Sequence, residues 1–220
     1  MKLIETEHCY FLEKAFGASI ITGFTKTSLN GDLPGNIKAA FSFYKKERPV
    51  GYMKQTHSAD IATAVREGQY KGDGLFTRKK NLVLAVRTAD CLPLIFYSKE
   101  ERIIGVVHMG WKGAGEGILE NIEYDLSSFR VAAGPGLRKC CYEVGKEFEG
   151  YFRISPFLSR KKGRTFFDPV EFAREALVRN GLKGKNFLDM EICTACGKKE
   201  LFSFRKHGTE SRTLSFVMRK

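Results

Sequence analysis

Short apolar runs alternate with polar and glycine-rich breaks along most of the chain. Seven runs have the length and the β-branched or aromatic content of strands. They cover residues 18–25, 82–86, 92–97, 103–107, 129–133, 187–192 and 213–218. The pattern therefore predicts a protein built largely from short strands.

Three stretches between these runs have a helical pattern, at residues 115–126, 143–152 and 168–180. The last has clear boundary signals. Asp168 is a good N-cap, Pro169 fits the first helical position, and Glu171 completes a capping box. The pair Asn180-Gly181 is typical of a helix end.

Strands and helices are interleaved, but the connection from 82–86 to 92–97 is too short for a crossover helix. We therefore predict the α+β class, with mixed β-sheets packed together and flanked by helices, rather than a doubly wound sheet. Repeats and linkers are not visible, which indicates one domain over residues 1–220. Neither a G-x-G-x-x-G nor a P-loop motif occurs in the sequence.

Composition excludes several classes of protein. The chain has 220 residues, 43% of them hydrophobic, with 18 Phe, so it can bury a core and is neither disordered nor a disulfide-stapled miniprotein. Its net charge is 37 − 25 = +12, yet the basic clusters (45–46, 78–80, 160–162, 198–199) are dispersed and no nucleic-acid-binding motif accompanies them. Nucleic acid is therefore an unlikely partner, and some cations could instead serve an anionic small substrate.

The sequence predicts a cytoplasmic protein without a membrane span. Glu5 and Glu7 interrupt the N-terminus where a secretory signal needs an apolar stretch. The most apolar segment, 81–97, contains Arg87 and Asp90, which rules out a span. Thiols in that compartment stay reduced, so the cysteines are weighed as buried thiols, metal ligands or nucleophiles. They are Cys9, Cys91, Cys140, Cys141, Cys193 and Cys196.

Reactive side chains concentrate near predicted strand ends, and His57, Cys91 and His108 stand out. Two histidines and a thiolate with a vacant fourth position are typical of catalytic zinc. The separations, 91 − 57 = 34 and 108 − 91 = 17, lack the short spacing of zinc fingers. Spacing alone therefore leaves open the alternative of a buried thiol and two hydrogen-bonded histidines.

Two further patterns have alternative interpretations. The turn at residues 110–117 is rich in glycine and contains Lys112, which suits an anion site or simply a tight strand-to-helix turn. The C-x-x-C at Cys193 and Cys196 could join the pair Cys140-Cys141 around a metal. Adjacent residues seldom both point at one ion, so buried structural thiols are the favoured interpretation for all four.

Together these clusters resemble the YfiH-type family, also called DUF152 or multicopper polyphenol oxidoreductase (laccase-like) proteins and regarded as purine nucleoside phosphorylases. The resemblance rests on an ordered series of motifs from about residue 50 to the C-terminus. They are Gln-x-His-Ser at 55–58, Asp-Gly-Leu-x-Thr at 73–77, Ala-Asp-Cys-Leu-Pro at 89–93, His-x-Gly-Trp-Lys-Gly at 108–113, Gly-Pro-x-Leu…Cys-Cys-Tyr-Glu-Val at 134–144, Cys-Thr at 193–194 and Phe-Ser-Phe-Arg-Lys at 202–206.

The resemblance implies packed sheets flanked by helices, related to the cysteine-hydrolase-like fold of a deamidating bacterial toxin. It implies that His57, Cys91 and His108 bind the active-site metal, zinc or alternatively copper. It also implies phosphorolysis of adenosine, inosine, guanosine or 5′-methylthioadenosine, with deamination of adenosine. The small-molecule partners are then a nucleoside and phosphate, while the oligomeric state stays open.

Further residues receive roles from their place in these motifs. Lys112, Gly113 and Arg87 are candidates for binding phosphate, with Arg205 as a second anion contact. Gln55 is a candidate for a polar substrate contact. Asp90 is assigned to orienting a ligand or moving a proton, which makes it the fourth catalytic candidate beside the three metal ligands.

Two departures from the family pattern limit this transfer. Lys112 stands where the family usually has an arginine, which gives up a bidentate anion contact. The N-terminal segment at 29–36 is compressed, so substrate contacts there are not carried over.

Three alternatives stay open. One is copper-dependent oxidation of phenols, although Met109 beside His108 should point to the opposite face of its strand and so not serve as an axial ligand. Another is a metal-free cysteine hydrolase with a Cys91 thiolate and His108 as the base. The non-enzymatic alternative is a basic nucleic-acid-binding protein with a structural metal.

Overall fold

Two mixed β-sheets pack face to face in the computed structural model of the chain, which describes residues 2–13, 15–29, 35, 37, 39 and 48–220. The basic pair at 45–46 and most of the compressed segment 29–36 lie outside these described residues. The first sheet has the strand order β1-β2-β3-β16-β8-β4-β6. Its strands are β1 (Lys2–Glu5), β2 (Cys9–Glu13), β3 (Ile20–Thr25), β4 (Val50–Lys54), β6 (Gly68–Lys71), β8 (Val83–Thr88) and β16 (Thr213–Arg219).

The second sheet has the order β15-β11-β9-β10-β7-β5. Its strands are β5 (Ile61–Thr63), β7 (Gly74–Thr77), β9 (Leu92–Ser98), β10 (Ile103–Met109), β11 (Phe129–Ala133) and β15 (Phe187–Asp189). Both sheets combine parallel and antiparallel pairs; β4 is parallel to β8 and β11 is parallel to β15. This arrangement confirms the predicted α+β class with mixed sheets.

A smaller third sheet and short helices complete the described fold. The sheet contains β12 (Glu143–Val144), β14 (Arg164–Phe167) and β13 (Leu158–Lys161), in that order. The α-helices are α1 (Trp111–Glu116), α2 (Pro169–Arg179) and α3 (Phe204–His207), and the 3₁₀ helices are Leu126–Ser128, Lys146–Gly150, Ser155–Phe157 and Gly184–Asn186. Among the described residues, none of the helices has the length and apolar character that a membrane crossing requires.

The central strands are buried on both faces, which explains their uninterrupted apolar sequences. In β8, Leu84 and Val86 face the core between the two sheets, while Val83 and Ala85 pack on the outer side of the first sheet. Residues of the second sheet divide in the same way between the intersheet core and a core shared with α2. The molecule is therefore layered, and the two sheets form its centre.

The strand predictions hold better than the helix predictions. All seven predicted runs contain strands, and the Asp168 cap is confirmed because its side chain accepts the N–H of Glu171. The helix predicted at 115–126 is wrong: α1 ends at Glu116, where Gly117 adopts a left-handed φ of 87°. The helix predicted at 143–152 is also wrong, since β12 and a 3₁₀ helix occupy that stretch on either side of Gly145.

The short connection at 89–91 joins two sheets rather than two neighbours in one sheet. β8 belongs to the first sheet and β9 to the second, so the chain passes from one layer to the other within three residues. Asp90 lies in this crossing with a left-handed φ of 90°. The crossing places Cys91 at one end of the intersheet core.

Candidate active site

Three strand ends bring His57, Cys91 and His108 together. The possible ligand atoms of these residues, which we call the His₂Cys centre, all lie within 4.8 Å of one another. The Cys91 Sγ is 4.0 Å from His57 Nε2, and the two imidazole rings have centroids 4.9 Å apart. His57 is exposed, Cys91 is half-buried and His108 is buried, so the centre opens to solvent on the His57 side.

Strand alternation explains why two of these side chains meet. His108 is the second-last residue of β10 and lies on the intersheet face of that strand, as Ile104 and Val106 do. It pairs with Pro93 of β9, and Cys91 lies two residues before that proline. Both side chains therefore emerge from the same face of the same sheet end.

Asp73 hydrogen bonds to both histidine residues of the His₂Cys centre. Its carboxylate, which is fully buried, accepts the backbone N–H groups of Thr56, His57 and Ser58 at 2.8–3.1 Å. It also lies 2.7 Å from His108 Nδ1. A carboxylate on one ring nitrogen leaves the other nitrogen free for a ligand, which is the usual arrangement behind a metal-binding histidine.

The loop that carries His57 is tightly constrained. His57 has a left-handed φ of 60°, which is uncommon for a residue with a side chain, and its N–H bond to Asp73 holds it there. Gly110 lies against this loop from the start of α1. A Cβ atom at Gly110 would lie 2.8 Å from His57 Cδ2 and 3.4 Å from Cys91 Sγ.

The electrostatics of the centre favour a thiolate. Burial opposes ionisation of Cys91, but the His108 and His57 rings outweigh it and lower the pKa of Cys91 to about 6. Burial likewise opposes the charged form of His108, but hydrogen bonding to Asp73 and Cys91 raises its pKa. The pKa of Asp73 is lowered because its bonds to His108, Ser58 and Thr56 exceed the effect of burial.

This donor set fits a metal ion with three protein ligands. Two imidazoles and one thiolate suit zinc, and they suit copper as well. Met109, the residue next to His108, is 2% exposed and packs in the core shared with α2. It faces away from the centre, as its place on the strand predicts, so it does not supply the axial ligand of a blue-copper site.

A cavity of about 640 Å³ opens beside the centre and includes all three of its residues. Its size lies within the usual range for small-molecule sites. Three arginines line it, Arg87, Arg205 and Arg212, and so do three aromatic residues, Trp111, Tyr142 and Phe204. Gln55, Ala89, Asp90, Leu137 and Glu210 complete the lining.

Four of the predicted substrate contacts have clear positions. Gln55 and Arg87 face the cavity and are joined by two bonds: the Arg87 N–H donates to Gln55 Oε1 and Gln55 Nε2 donates to the Arg87 carbonyl, each at 2.8 Å. Lys112 and Gly113 are not among the residues that line the cavity. The Lys112 ammonium lies over the Trp111 ring, and a Cβ at Gly113 would approach the Ser58 carbonyl oxygen to 2.7 Å.

These positions change the interpretation of the glycine-rich turn. Gly110 and Gly113 allow α1 to lie close to the His57 loop, so the turn serves packing around the His₂Cys centre. Lys112 is exposed and lies outside the residues that line the cavity.

Asp90 has a carboxylate already occupied by protein groups. It accepts the Thr194 hydroxyl and the backbone N–H of Arg205, each at 2.6 Å. Arg205 in turn donates from Nη1 to the carbonyl of Glu143 at 2.9 Å. The bond from Asp90 to the Arg205 N–H fixes the start of α3 beside the cavity.

Several residues of the site were not assigned roles from the sequence, among them Asp73, Arg212 and Tyr142. Asp73 belongs to a quoted motif, but its function depends on a loop 15 to 17 positions earlier. Arg212 lines the cavity from a segment outside the quoted motifs, whereas Tyr142 belongs to the quoted motif at 134–144. The motif around Asp73 was thus the one signal that could have revealed it.

The prediction of buried structural thiols is wrong for the adjacent cysteine pair and the C-x-x-C. Cys193 is buried, Cys141 is half-buried, and Cys140 and Cys196 are exposed. Their four sulfur atoms lie within 4.8 Å of one another. The adjacent pair and the C-x-x-C therefore do point at one common position.

We expect Gly110→Ala to weaken metal binding at the His₂Cys centre about ten- to a hundredfold, because the added methyl group must displace His57 or Cys91. Metal content and affinity measured by titration of the metal-free protein would test this. Gly115→Ala is the matched control, since its Cβ would make only an ordinary 3.5 Å contact with Tyr151. Equal affinities in the two variants would contradict the close approach.

The chain is similar in sequence to the members of a known protein family. The profile of the family described as "Multi-copper polyphenol oxidoreductase laccase" matches residues 25–220. A purine nucleoside phosphorylase of Aquifex aeolicus is 40% identical over 204 residues, which cover 88% of this chain and 94% of that protein. A protein named adenosine deaminase, from an unknown prokaryotic organism, is 28% identical over 193 residues, covering 76% and 74%.

Two solved structures share the fold. The hypothetical protein YfiH of Bacillus licheniformis superposes with a TM-score of 0.87 at 23% identity, covering 99% of both chains. YlmD of Geobacillus stearothermophilus gives 0.86 at 24% identity, covering 99% of this chain and 98% of that one. The sheet arrangement described above is thus common to these proteins.

Proposed function

This chain belongs to the multi-copper polyphenol oxidoreductase laccase family, the YfiH or DUF152 proteins, and on that premise we propose that it is a metal-dependent purine nucleoside phosphorylase that also deaminates adenosine. The observation that carries the proposal is the composition of one cavity. It combines the His₂Cys centre with three arginines and three aromatic side chains. Arginines suit a phosphate and aromatic rings suit a purine, so the lining matches both reactants.

The proposed substrates are adenosine, inosine, guanosine and 5′-methylthioadenosine. In phosphorolysis a phosphate oxygen bonds to the ribose C1′ while the bond from C1′ to the purine nitrogen breaks. The products are ribose 1-phosphate, or its methylthio derivative, and the free base, which takes up a proton. The protein must therefore hold an anion against a sugar that becomes cationic in the transition state.

Phosphate would be bound by Arg87, Arg205 and Arg212. Each guanidinium is permanently charged and presents paired donors that match phosphate oxygens. Arg212 is already held by bonds from Nη1 to the carbonyl oxygens of Thr209 and Ser211, each at 3.0 Å. Arg205 is held through Glu143 and Asp90, so two of the three arginines are oriented before substrate binds.

The purine base would lie against the aromatic side of the cavity. Tyr142 is 9% exposed and Trp111 is half-buried, whereas Phe204 is 58% exposed at the rim of the cavity. An exposed phenylalanine beside a polar cavity is a ready stacking surface for a flat ring. Gln55 supplies an amide for a polar contact, although its bonds to Arg87 fix its orientation.

His57, Cys91 and His108 would hold the metal, which we propose is zinc, with copper as the alternative. When bound, the metal would supply Lewis-acid activation of water. In deamination a water oxygen bonds to C6 of the adenine base while the bond from C6 to the amino nitrogen breaks, so adenosine and water give inosine and ammonia. Asp73 keeps the His108 ring oriented for this task, and the left-handed turn at His57 directs the second imidazole at the same point.

Arg205→Met is expected to raise the KM for phosphate about ten- to a hundredfold, because one charged hydrogen-bonding contact is lost. The KM for the nucleoside should change little. Steady-state phosphorolysis with phosphate and inosine varied separately tests this, and Arg179→Met on the surface of α2 is the control. A rise confined to the nucleoside KM would contradict the assignment.

One observation favours a second candidate, a metal-free cysteine hydrolase. The lowered pKa of Cys91 beside two imidazoles is what a nucleophilic thiolate requires. If the protein is a metal-free cysteine hydrolase, chelator-treated protein should keep its full hydrolytic activity, and a thiol-alkylating reagent should abolish that activity. The phosphorylase proposal predicts that activity disappears with the metal and returns when zinc is added.

A further inference from the structure

A second group of sulfur ligands lies apart from the His₂Cys centre. Two of its members follow β11 and two follow β15, and we call the group the four-cysteine cluster. It consists of Cys140, Cys141, Cys193 and Cys196. All four sulfurs lie within 4.8 Å of one another, and those of Cys140 and Cys196 are 3.6 Å apart.

Backbone bonds hold the two loops in register. Gly136 and Cys193 form an isolated parallel bridge, in which the Thr194 N–H donates to the Gly136 carbonyl at 3.1 Å. After the C-x-x-C, the Gly197 N–H donates to the Cys193 carbonyl at 2.9 Å. Gly197 packs so closely that a Cβ there would lie 2.3 Å from that carbonyl oxygen. The turn that carries Cys193 and Cys196 is therefore tight, and the Gly136–Cys193 bridge holds it beside the chain segment that leads to Cys140.

Arg138 is a buried cation beside the cluster. It is 8% exposed, and its Nη2 donates to the Gly134 carbonyl and to Asp189, each at 2.8 Å. Within the described part of the chain, its Nε and Nη1 atoms have no hydrogen-bond partner. Arg138 lines one pocket together with Cys140, Cys193 and Cys196, so a negatively charged sulfur site would complete its surroundings.

We propose that the four-cysteine cluster binds a zinc ion as a structural tetrathiolate site. Zinc–sulfur bonds of about 2.3 Å in a tetrahedron place the sulfurs about 3.8 Å apart, which the observed cluster approaches. Four protein ligands leave no open position, as in structural rather than catalytic zinc sites. The complex would carry a charge of −2, which Arg138 partly balances.

The proposed site is connected to the active-site cavity by covalent neighbours of its ligands. Tyr142, which lines the cavity, directly follows Cys141. Thr194, which follows Cys193, donates its hydroxyl to Asp90, the residue before Cys91. A metal in the four-cysteine cluster would therefore fix one wall of the cavity and the crossing that carries Cys91.

Zinc stoichiometry tests the proposal. The full chain is loaded with zinc under reducing conditions, passed through gel filtration and analysed for metal by mass spectrometry. We expect Cys196→Ser and Cys140→Ser each to lose one zinc per chain relative to the unsubstituted protein. Both positions are exposed, so the serine should not disturb folding. Cys9→Ser, a thiol outside both groups, is the control and should lose none.

Cobalt provides a second measurement that separates this site from the His₂Cys centre. Cobalt in His57→Ala protein should still give the intense thiolate-to-cobalt charge-transfer absorption of a site with four sulfurs. Unchanged zinc content in both cysteine variants would overturn the proposal. So would free reaction of all four cluster thiols with a thiol reagent in zinc-loaded protein. A disulfide within the cluster of the reduced, zinc-loaded chain would overturn it too. None of these outcomes depends on nucleoside phosphorolysis, so the proposed function can fail independently.

Discussion

Replacing Cys91 with alanine should lower kcat/KM for phosphorolysis at least about a thousandfold and remove the metal of the His₂Cys centre. The thiolate is its one charged ligand, and its pKa of about 6 keeps it ionised near neutral pH without a metal. Losing several kcal/mol of charge stabilisation in the transition state corresponds to a factor of this size. His57→Ala should have an effect of the same order, because two ligands then remain.

Cys9→Ala is the control for Cys91→Ala, since Cys9 is a buried thiol in β2 and belongs to neither group of sulfur ligands. Metal content and phosphorolysis should be measured on the same preparations, together with circular dichroism to verify the fold. The assignment of the ligands fails if Cys91→Ala and His57→Ala both retain the metal of this centre. Retained activity in His57→Ala without metal would favour the cysteine hydrolase instead.

Asp73→Asn should be the most damaging single-atom change outside the ligands themselves. The carboxylate of Asp73 meets only donors: three successive backbone N–H groups of the His57 loop, the Ser58 hydroxyl and the His108 ring. An asparagine amide turns its own donors toward some of them. We expect a loss of about 3 kcal/mol in the free energy of unfolding and a ten- to hundredfold lower metal affinity.

Urea unfolding of the metal-free protein separates the first effect from the second, since metal titration reports on the folded state alone. Asp60→Asn is a suitable control, because Asp60 is exposed and its hydrogen bonds to the Asp73 and Gly74 amides and to the Ser58 hydroxyl use its backbone. If Asp73→Asn matched the unsubstituted protein in both measurements, Asp73 would not be the residue that orients His108.

The sequence predicts the central strands because their burial is continuous. Runs such as β8 and β10 are apolar on both faces and so stand out from their surroundings. The strands that were missed contain two to five residues, and several, such as β1 and β6, are largely polar or exposed. Their conformation depends on neighbours in the sheet rather than on their own pattern.

The same distinction applies to the candidate site, where some residues are indicated by type and motif and others depend on the fold. His57, Cys91 and His108 could be nominated from their residue types and motifs, because strand ends commonly position reactive groups. Asp73 acquires its role only when the loop at 56–58 folds around it. The four-cysteine cluster was misjudged because Cys140 and Cys196 are separated by 56 residues, and the Gly136–Cys193 bridge that joins their loops is not visible in the sequence.

The proposed phosphorylase activity is tested by a product assay on zinc-loaded protein with inosine, in the presence and absence of inorganic phosphate. We expect hypoxanthine and ribose 1-phosphate in equal amounts, formed only when phosphate is present and abolished in Cys91→Ala. The absence of ribose 1-phosphate with inosine, guanosine, adenosine and 5′-methylthioadenosine alike, in protein whose His₂Cys centre holds zinc, would contradict it.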